Sequence, residues 1–432
     1  NNKKSIYWSV IMILLLLPMP AFAAEASKID TGDTAWVLAS SALVMIMTPA
    51  LGLFYGGMVR KKNALSTIMF SFVILALISV QWVLFGYSLS FGPDIGHVIG
   101  NLDWVGLNGV GQDPNTDYAA TIPALAYMIF QAMFAIITVA LISGAFVERI
   151  KFKAFIVFSL LWATLVYDPI AHWVWGVGGF LRNMGALDFA GGTVVHISSG
   201  VSALAIAFVI GSRKGFGKQA MDPHNIPMVV LGAALLWFGW FGFNGGSAVA
   251  SNGLATSAFV VTNTAAAAAA LMWTLLSWYH KRPSVLGAAT GSVVGLVAIT
   301  PASGFVTPLA AIMIGVVGAA LSYYVMLFRS KQNVDDSLDV WACHGIGGTW
   351  GAIATGIFAT IAVNSAGANG LLYGNPGQLV TQIIAVGVTW VYAFVMTVIL
   401  AKVIDATIGL RVRYEEESVG LDISQHAEKA YA

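Results

Sequence analysis

Two histidines stand inside apolar stretches of the chain, His196 in DFAGGTVVHISSG and His344 in DVWACHGIGGTWG, and a carboxylate precedes each, Asp188 and Asp339. Ionisable groups within a bilayer are costly and mark function by default. One such histidine reads equally well as a satisfied core side chain. Two at matching places read differently, because neutral imidazoles each offer one donor and one acceptor and can satisfy one another without net charge. Both aspartates sit where a carboxylate caps free N–H groups and meets the positive end of a helix dipole. A histidine-bound metal is disfavoured, since no third or fourth ligand lies nearby. The single cysteine, Cys343, excludes disulfides within the chain and cysteine-based clusters. Acid–base catalysis would need a second reactive group or a cofactor, and neither is evident, so no enzyme activity, cofactor or metal is expected.

Aromatic residues form a second group: Phe130 and Phe134 flanking Gln131, Trp173 with Trp175, and Trp237, Trp240, Phe241 and Phe243 leading to Asn244 and Ser247. Two readings fit their spacing. They belong to the interfacial aromatic belt, or their ring faces form a cage for a cation. His172, beside Trp173, reads as structural. The loop 92–121 carries Asp94, Asp103, Asp113 and Asp117 without Lys or Arg, either a solvated acidic loop or a concentrator of cations.

The elements that must position these groups are membrane helices. Of the 432 residues, 58% are apolar and 9% charged, with a mean hydropathy of +0.80; a soluble domain is about 25% charged. No Asp, Glu, Lys or Arg occurs from Pro223 to His280, Pro283 to Phe328 or Val340 to Ala401. At about 20 residues per span, each gap holds at least two. Counting along the chain gives eleven spans, roughly 34–57, 64–91, 122–147, 154–175, 191–210, 227–246, 255–279, 284–301, 305–328, 341–362 and 378–404. Lys3 and Lys4, an apolar run and Ala21-Phe22-Ala23 predict a cleaved signal peptide over 1–23. Alternate loops hold the positive charge, whereas the other side of the mature chain has only Lys28 and Arg182. Positive loops stay cytoplasmic, so the N-terminus is outside and the C-terminus inside. The histidine spans are fifth and tenth, matching members of two five-span halves that must be inverted. Gly287, Gly291, Gly295 and the alanines 265–270 are spaced for helix packing. With a net charge of +1, nothing favours a nucleic-acid partner.

Four segments, Phe54-Tyr55-Gly56-Gly57-Met58-Val59-Arg60, Asp188 through His196 to Arg213, Gly239 through Asn244 to Ser247, and Asp339 with His344 and Gly345, resemble the Amt/Mep/Rh ammonium transporters, bacterial Amt branch. The resemblance covers essentially the whole mature chain. It implies an all-α polytopic protein of the bacterial cytoplasmic membrane, eleven spans with an inverted repeat of spans 1–5 and 6–10, and a homotrimer with one pore per subunit. It also implies ammonium as substrate, a domain over 24–405 and a cytoplasmic regulatory tail over 406–432 that meets a trimeric PII-type protein. On this resemblance Phe134, Trp175 and Ser247 recruit ammonium, and Asp188 supports that site. Phe134 and Phe243 gate the pore, while His196, His344 and Trp240 line it. Asp168 departs from the usual apolar residue; it adds a carboxylate near the vestibule or, the favoured reading, hydrogen-bonds in the subunit interface. An ammonium sensor acting through a PII-type partner, or an Rh-like gas channel, are the rival readings.

Overall fold

The computed structural model describes residues 28–431; the signal peptide expected at 1–23 lies outside them. Among the described residues, nine helices are long and apolar enough to cross a membrane: α1 (Thr31–Met58), α2 (Lys61–Phe91), α3 (Ala124–Ala145), α4 (Phe152–Asn183), α5 (Gly192–Ile210), α6 (Ile226–Ala248), α7 (Gly253–His280), α9 (Pro308–Ser330) and α11 (Pro376–Thr407). Between them lie the shorter α8 (Val285–Ile299) and α10, which begins as a π-helical turn, Trp341–Ile346, and continues through Gly347–Phe358. A hairpin of β1 (Asp94–Ile95) and β2 (Ile99–Gly100) projects from the α2–α3 loop. Two short helices, α12 (Tyr414–Val419) and α13 (Leu421–His426), end the described chain.

Helix ends follow the capping residues. Asp30, Asn252, Ser284 and Thr307 each accept a backbone N–H from the first turn that follows them. Small residues let helices approach: the row Gly287, Gly291 and Gly295 on α8 faces Trp273, Ala269 and Ala265 of α7, as its spacing predicts. The histidine helices α5 and α10 run through the middle of the molecule. Both open on π-helical turns, Gly192–Ile197 and Trp341–Ile346, which contain His196 and His344. Such turns recur at functional sites.

Asp168 corrects one expectation. It is fully buried within the single chain, accepting from Gln81 Nε2 at 2.8 Å and Ser90 Oγ at 3.3 Å. A carboxylate so enclosed lies on no surface that another subunit can reach.

Candidate functional site

The residues singled out in sequence converge on one path through the molecule. At its outer end is an open cavity of about 240 Å³, lined by Phe134, Trp175, Asp188 and Ser247. The Ser247 hydroxyl donates to the Phe243 carbonyl at 2.8 Å, which leaves its oxygen lone pairs to accept an N–H from the cavity. The Trp175 indole is fixed by donation from Nε1 to the Asp188 carbonyl at 2.8 Å. Tyr127, Gln131, Arg182 and Asp117 complete the wall. Of these, Gln131 stands in the aromatic group of the sequence and Asp117 in its acidic loop; Tyr127 and Arg182 come from helix faces whose convergence no local pattern carries. Trp173 points elsewhere, donating to Val98 O at 2.8 Å.

Below this cavity the Phe134 and Phe243 rings meet, centroids 4.3 Å apart and inclined at 41°, a tilted contact rather than a parallel stack. Trp175 stands edge-on to Phe134 at 5.9 Å. Beneath Phe243 comes a cavity of only about 10 Å³, bounded by Phe243, Trp240, His196, His344 and aliphatic side chains of α1, α3, α6 and α8. That is near the minimum that holds one water-sized molecule. His196 lies flat against Trp240 at 5.3 Å, and Trp240 is anchored by its Nε1 to Thr300 Oγ1 at 2.8 Å. The two imidazoles share an Nδ1–Nδ1 hydrogen bond of 3.2 Å. Past Cys343 an inner cavity of about 340 Å³ opens, lined by Met58, Met326, Ser337, Leu338, Asp339 and Cys343 among others.

The backbone sets the imidazole spacing. A Cβ placed on Gly200, four residues after His196, would lie 2.0 Å from the Gly345 nitrogen, and one on Gly348, four after His344, 3.0 Å from the His196 Cβ. Each glycine admits the other helix at the level of its histidine.

The two aspartates diverge from expectation. Asp188 caps α5: Oδ1 accepts from Gly191 and Gly192 N at 2.9 and 2.7 Å, and Oδ2 from Thr193 and Val194 N at 2.8 and 3.0 Å. Asp339 does not cap α10. Its Oδ1 takes Arg329 Nε at 2.7 Å, and its φ of +57° turns the chain into the helix. The cap is Asp336, whose Oδ2 accepts Trp341 N at 2.8 Å. The missed signal is a spacing: Asp188 precedes His196 by eight residues, and Asp336 precedes His344 by the same eight.

The inner face carries a buried ionic cluster. Arg213 binds Asp335 through Nε and Nη2 at 2.9 and 2.8 Å and reaches Glu148, which also accepts Arg60. Burial raises the carboxyls of Glu148 and Asp335, but their arginines outweigh it and hold both below the ordinary range. Asp339 goes the other way, to about 6, because burial outweighs Arg329. The tail docks on this cluster. Glu417 accepts Lys214 N at 2.5 Å and Arg411 Nη2 at 2.7 Å, and Asp422 accepts Leu65 and Ser66 N at 3.1 and 2.7 Å. Glu416 instead pairs within the tail, with Arg413 and Gln425.

Residues 35–431 match the model of the Ammonium Transporter Family. The chain is 54% identical over 402 residues to an ammonium transporter of Bacillus subtilis, covering 93% of this chain and 98% of that one. It is 53% identical over 401 residues to the ammonium transporter Amt1 of Archaeoglobus fulgidus, covering 93% and 99%. Among solved structures, Candida albicans Mep2 aligns with a TM-score of 0.85 at 36% identity, covering 90% of this chain and 88% of that chain. A sensor Amt protein aligns with a TM-score of 0.85 at 29% identity, covering 91% and 98%.

Proposed function

This chain belongs to the Ammonium Transporter Family and is a multi-pass membrane protein that transports ammonium, and from that premise we propose how its residues do so. The observation that carries the reading is the sequence of chambers: an aromatic-walled outer cavity, closed by Phe134 and Phe243 from a one-molecule cavity lined by two imidazoles, aliphatic side chains and an indole whose N–H is already bonded to Thr300.

Ammonium is recruited at the outer cavity, its charge facing the Trp175 and Phe134 rings and one N–H donated to Ser247 Oγ. Asp188 does not ligate it directly, because both carboxylate oxygens are occupied by backbone N–H groups. It supplies negative charge and, through its carbonyl, holds the Trp175 indole. An ion cannot follow into the narrow section, since burying an unpaired charge in an apolar site is prohibitive. Burial favours the neutral form of a cationic acid, so the ion gives its proton to water in the open outer cavity above the phenylalanine gate. Ammonia proceeds through the narrow section, and the proton crosses by a separate route, which makes the transport a current. Sodium and potassium have no proton to release and stay outside.

The imidazole pair supplies the polar contacts. In an Nδ1–Nδ1 bond one ring donates and the other accepts. The donor ring then carries a bare Nε2 and the acceptor ring a protonated one. In either arrangement the pair presents one N–H and one lone pair. Ammonia, itself both donor and acceptor, finds both, and no fixed charge is present to attract an ion.

Eleven crossings in two inverted halves, a homotrimer, a mature domain from 24 to 405 after signal cleavage, and residence in a bacterial cytoplasmic membrane belong to the same proposal. So does a regulatory tail over 406–432 that presents the inner face to a PII-type trimer; its bonds to Lys214, Leu65 and Ser66 support it. Deleting residues after Leu410 should change the transport rate or PII association; if both stay the same, the tail has no regulatory part. The sensor reading ranks second, because the transporters are far closer in sequence than the sensor.

The deciding experiment is current in proteoliposomes on adding ammonium or potassium, with Trp175→Ala and His196→Asp beside the wild type. Ammonium-selective current, weakened by the first change and made potassium-permeable by the second, is expected. Equal wild-type currents from both ions would end this reading.

A further inference from the structure

His172 lies on α4 one turn before Trp175 and is completely buried. Its Nδ1 is 3.0 Å from the Ser90 carbonyl oxygen, and its Nε2 is 2.9 Å from Asp94 Oδ1. A carbonyl oxygen can only accept, and so can an ionised carboxylate, so both ring nitrogens must donate. We propose that His172 is a positioning residue for Trp175 and performs that role as an imidazolium paired with Asp94.

The surroundings support this assignment. Asp94 is itself braced from the hairpin, accepting His97 N at 3.1 Å with His97 Nδ1 3.3 Å from Oδ2. Burial works against its ionisation, yet the hydrogen bonds from His172 and from the His97 backbone hold its carboxyl below the ordinary range. The other charged or titratable groups nearby have their own partners. Asp168, one turn back on α4, is bonded to Gln81 and to Ser90 Oγ. Tyr118 from the outer loop donates to Phe91 O and accepts Val177 N, and Arg182 donates to Trp175 O. His97 Nδ1 also lies 2.7 Å from Gly178 O. The last turn of α4 therefore hangs between two anchors. Gly176 N donates to His172 O at 2.9 Å, and a Cβ on Gly179 would come within 2.0 Å of that same oxygen. Trp175 sits between the imidazolium pin and its own bond to Asp188 O. Losing the ring proton would turn a lone pair toward the Asp94 carboxylate, and the pin would become a repulsion.

The inference rests on Trp175 belonging to the recruitment site, so the experiment separates the two. In bilayers of histidine-labelled protein, nitrogen NMR should show one buried imidazolium at neutral pH that disappears in His172→Gln and in Asp94→Asn. In proteoliposomes, Asp94→Leu should raise KM for ammonium roughly tenfold at unchanged maximal current, the loss of about one charge-assisted hydrogen bond. Asp94→Asn should keep a near-normal KM, because its amide N–H can donate to a neutral ring. No imidazolium in the wild type, or a wild-type KM in Asp94→Leu, would overturn the proposal. An unchanged KM in Trp175→Ala together with the imidazolium signal would instead remove Trp175 from recruitment.

Discussion

At the outer end of α5, Asp188 gives both carboxylate oxygens to four backbone N–H groups and forms no ion pair among the described residues. At the inner end of α10, Asp336 occupies the matching place but accepts Trp341 N beside Asp335, Asp339, Arg213 and Arg329, whose charges are already paired. The same device starts both histidine helices, a carboxylate on a π-helical turn eight residues before the imidazole. Its charge is answered by resident arginines on the inside. On the outside, Asp188 borders the open cavity proposed to recruit the cation. The two histidine helices thus share a scaffold and differ in electrostatics: one carboxylate meets backbone N–H groups, the other sits among resident arginines.

This contrast can be broken most sharply at the two aspartates. Asp188→Ala should lower ammonium current by about a hundredfold or more, since several buried N–H groups lose their acceptor at about 1–3 kcal/mol each. Asp188→Asn should be nearly as damaging, because it keeps the shape and loses the charge. Asp336→Ala should chiefly lower the melting temperature in detergent while leaving measurable current. Equal loss of current from both at unchanged melting temperature would erase the distinction. Next in size is Arg213→Ala, which strands the buried Asp335 carboxylate and leaves Glu148 to Arg60 alone. Breaking such a pair costs about 3–5 kcal/mol, so thermal stability should collapse while any correctly folded fraction still excludes potassium. A potassium leak would instead assign the inner cluster a part in selectivity.

At the histidines the expected effects are smaller and differ in kind. His344→Ala leaves His196 without its Nδ1 partner, a cost of about 1–3 kcal/mol, and current should fall with selectivity kept. His196→Asp should admit potassium with transport retained. The smallest effect concerns Asp339, whose carboxyl rises from 3.8 unfolded to about 6 in the fold. Between those values the folded state binds more protons, so the contribution of this group to stability falls as pH rises through the window. Asp339→Asn should flatten that part of the melting profile; an unchanged slope would place the titration elsewhere.

Much of this was legible in the chain. Hydropathy exposes the spans because lipid offers the backbone no hydrogen-bond partners, and His196 and His344 stand out since ionisable groups are so rare there. The tie between Asp336 and α10 was hidden by Asp339, which lies nearer in sequence and looks like the better cap. What displaced it is Arg329, brought alongside by the α9–α10 loop. Asp168 was misplaced for a similar reason. Its partners, Gln81 and Ser90, sit on α2, and only the packing of α2 against α4 supplies them. Trp173 and Trp175, two residues apart, read alike in sequence but face a loop carbonyl and the cavity respectively.

The crossing of α5 and α10 at Gly200 and Gly348 carries a consequence for variation. Since main chain meets main chain there, the distance between the imidazoles is fixed by the thickness of two polypeptides, with no side chain between them whose size could be adjusted. Substitutions elsewhere along the path can alter what enters and how often the rings part, but they cannot change the bore at its centre. The mouths of the path are open to substitution, while its calibre is set by the main chain.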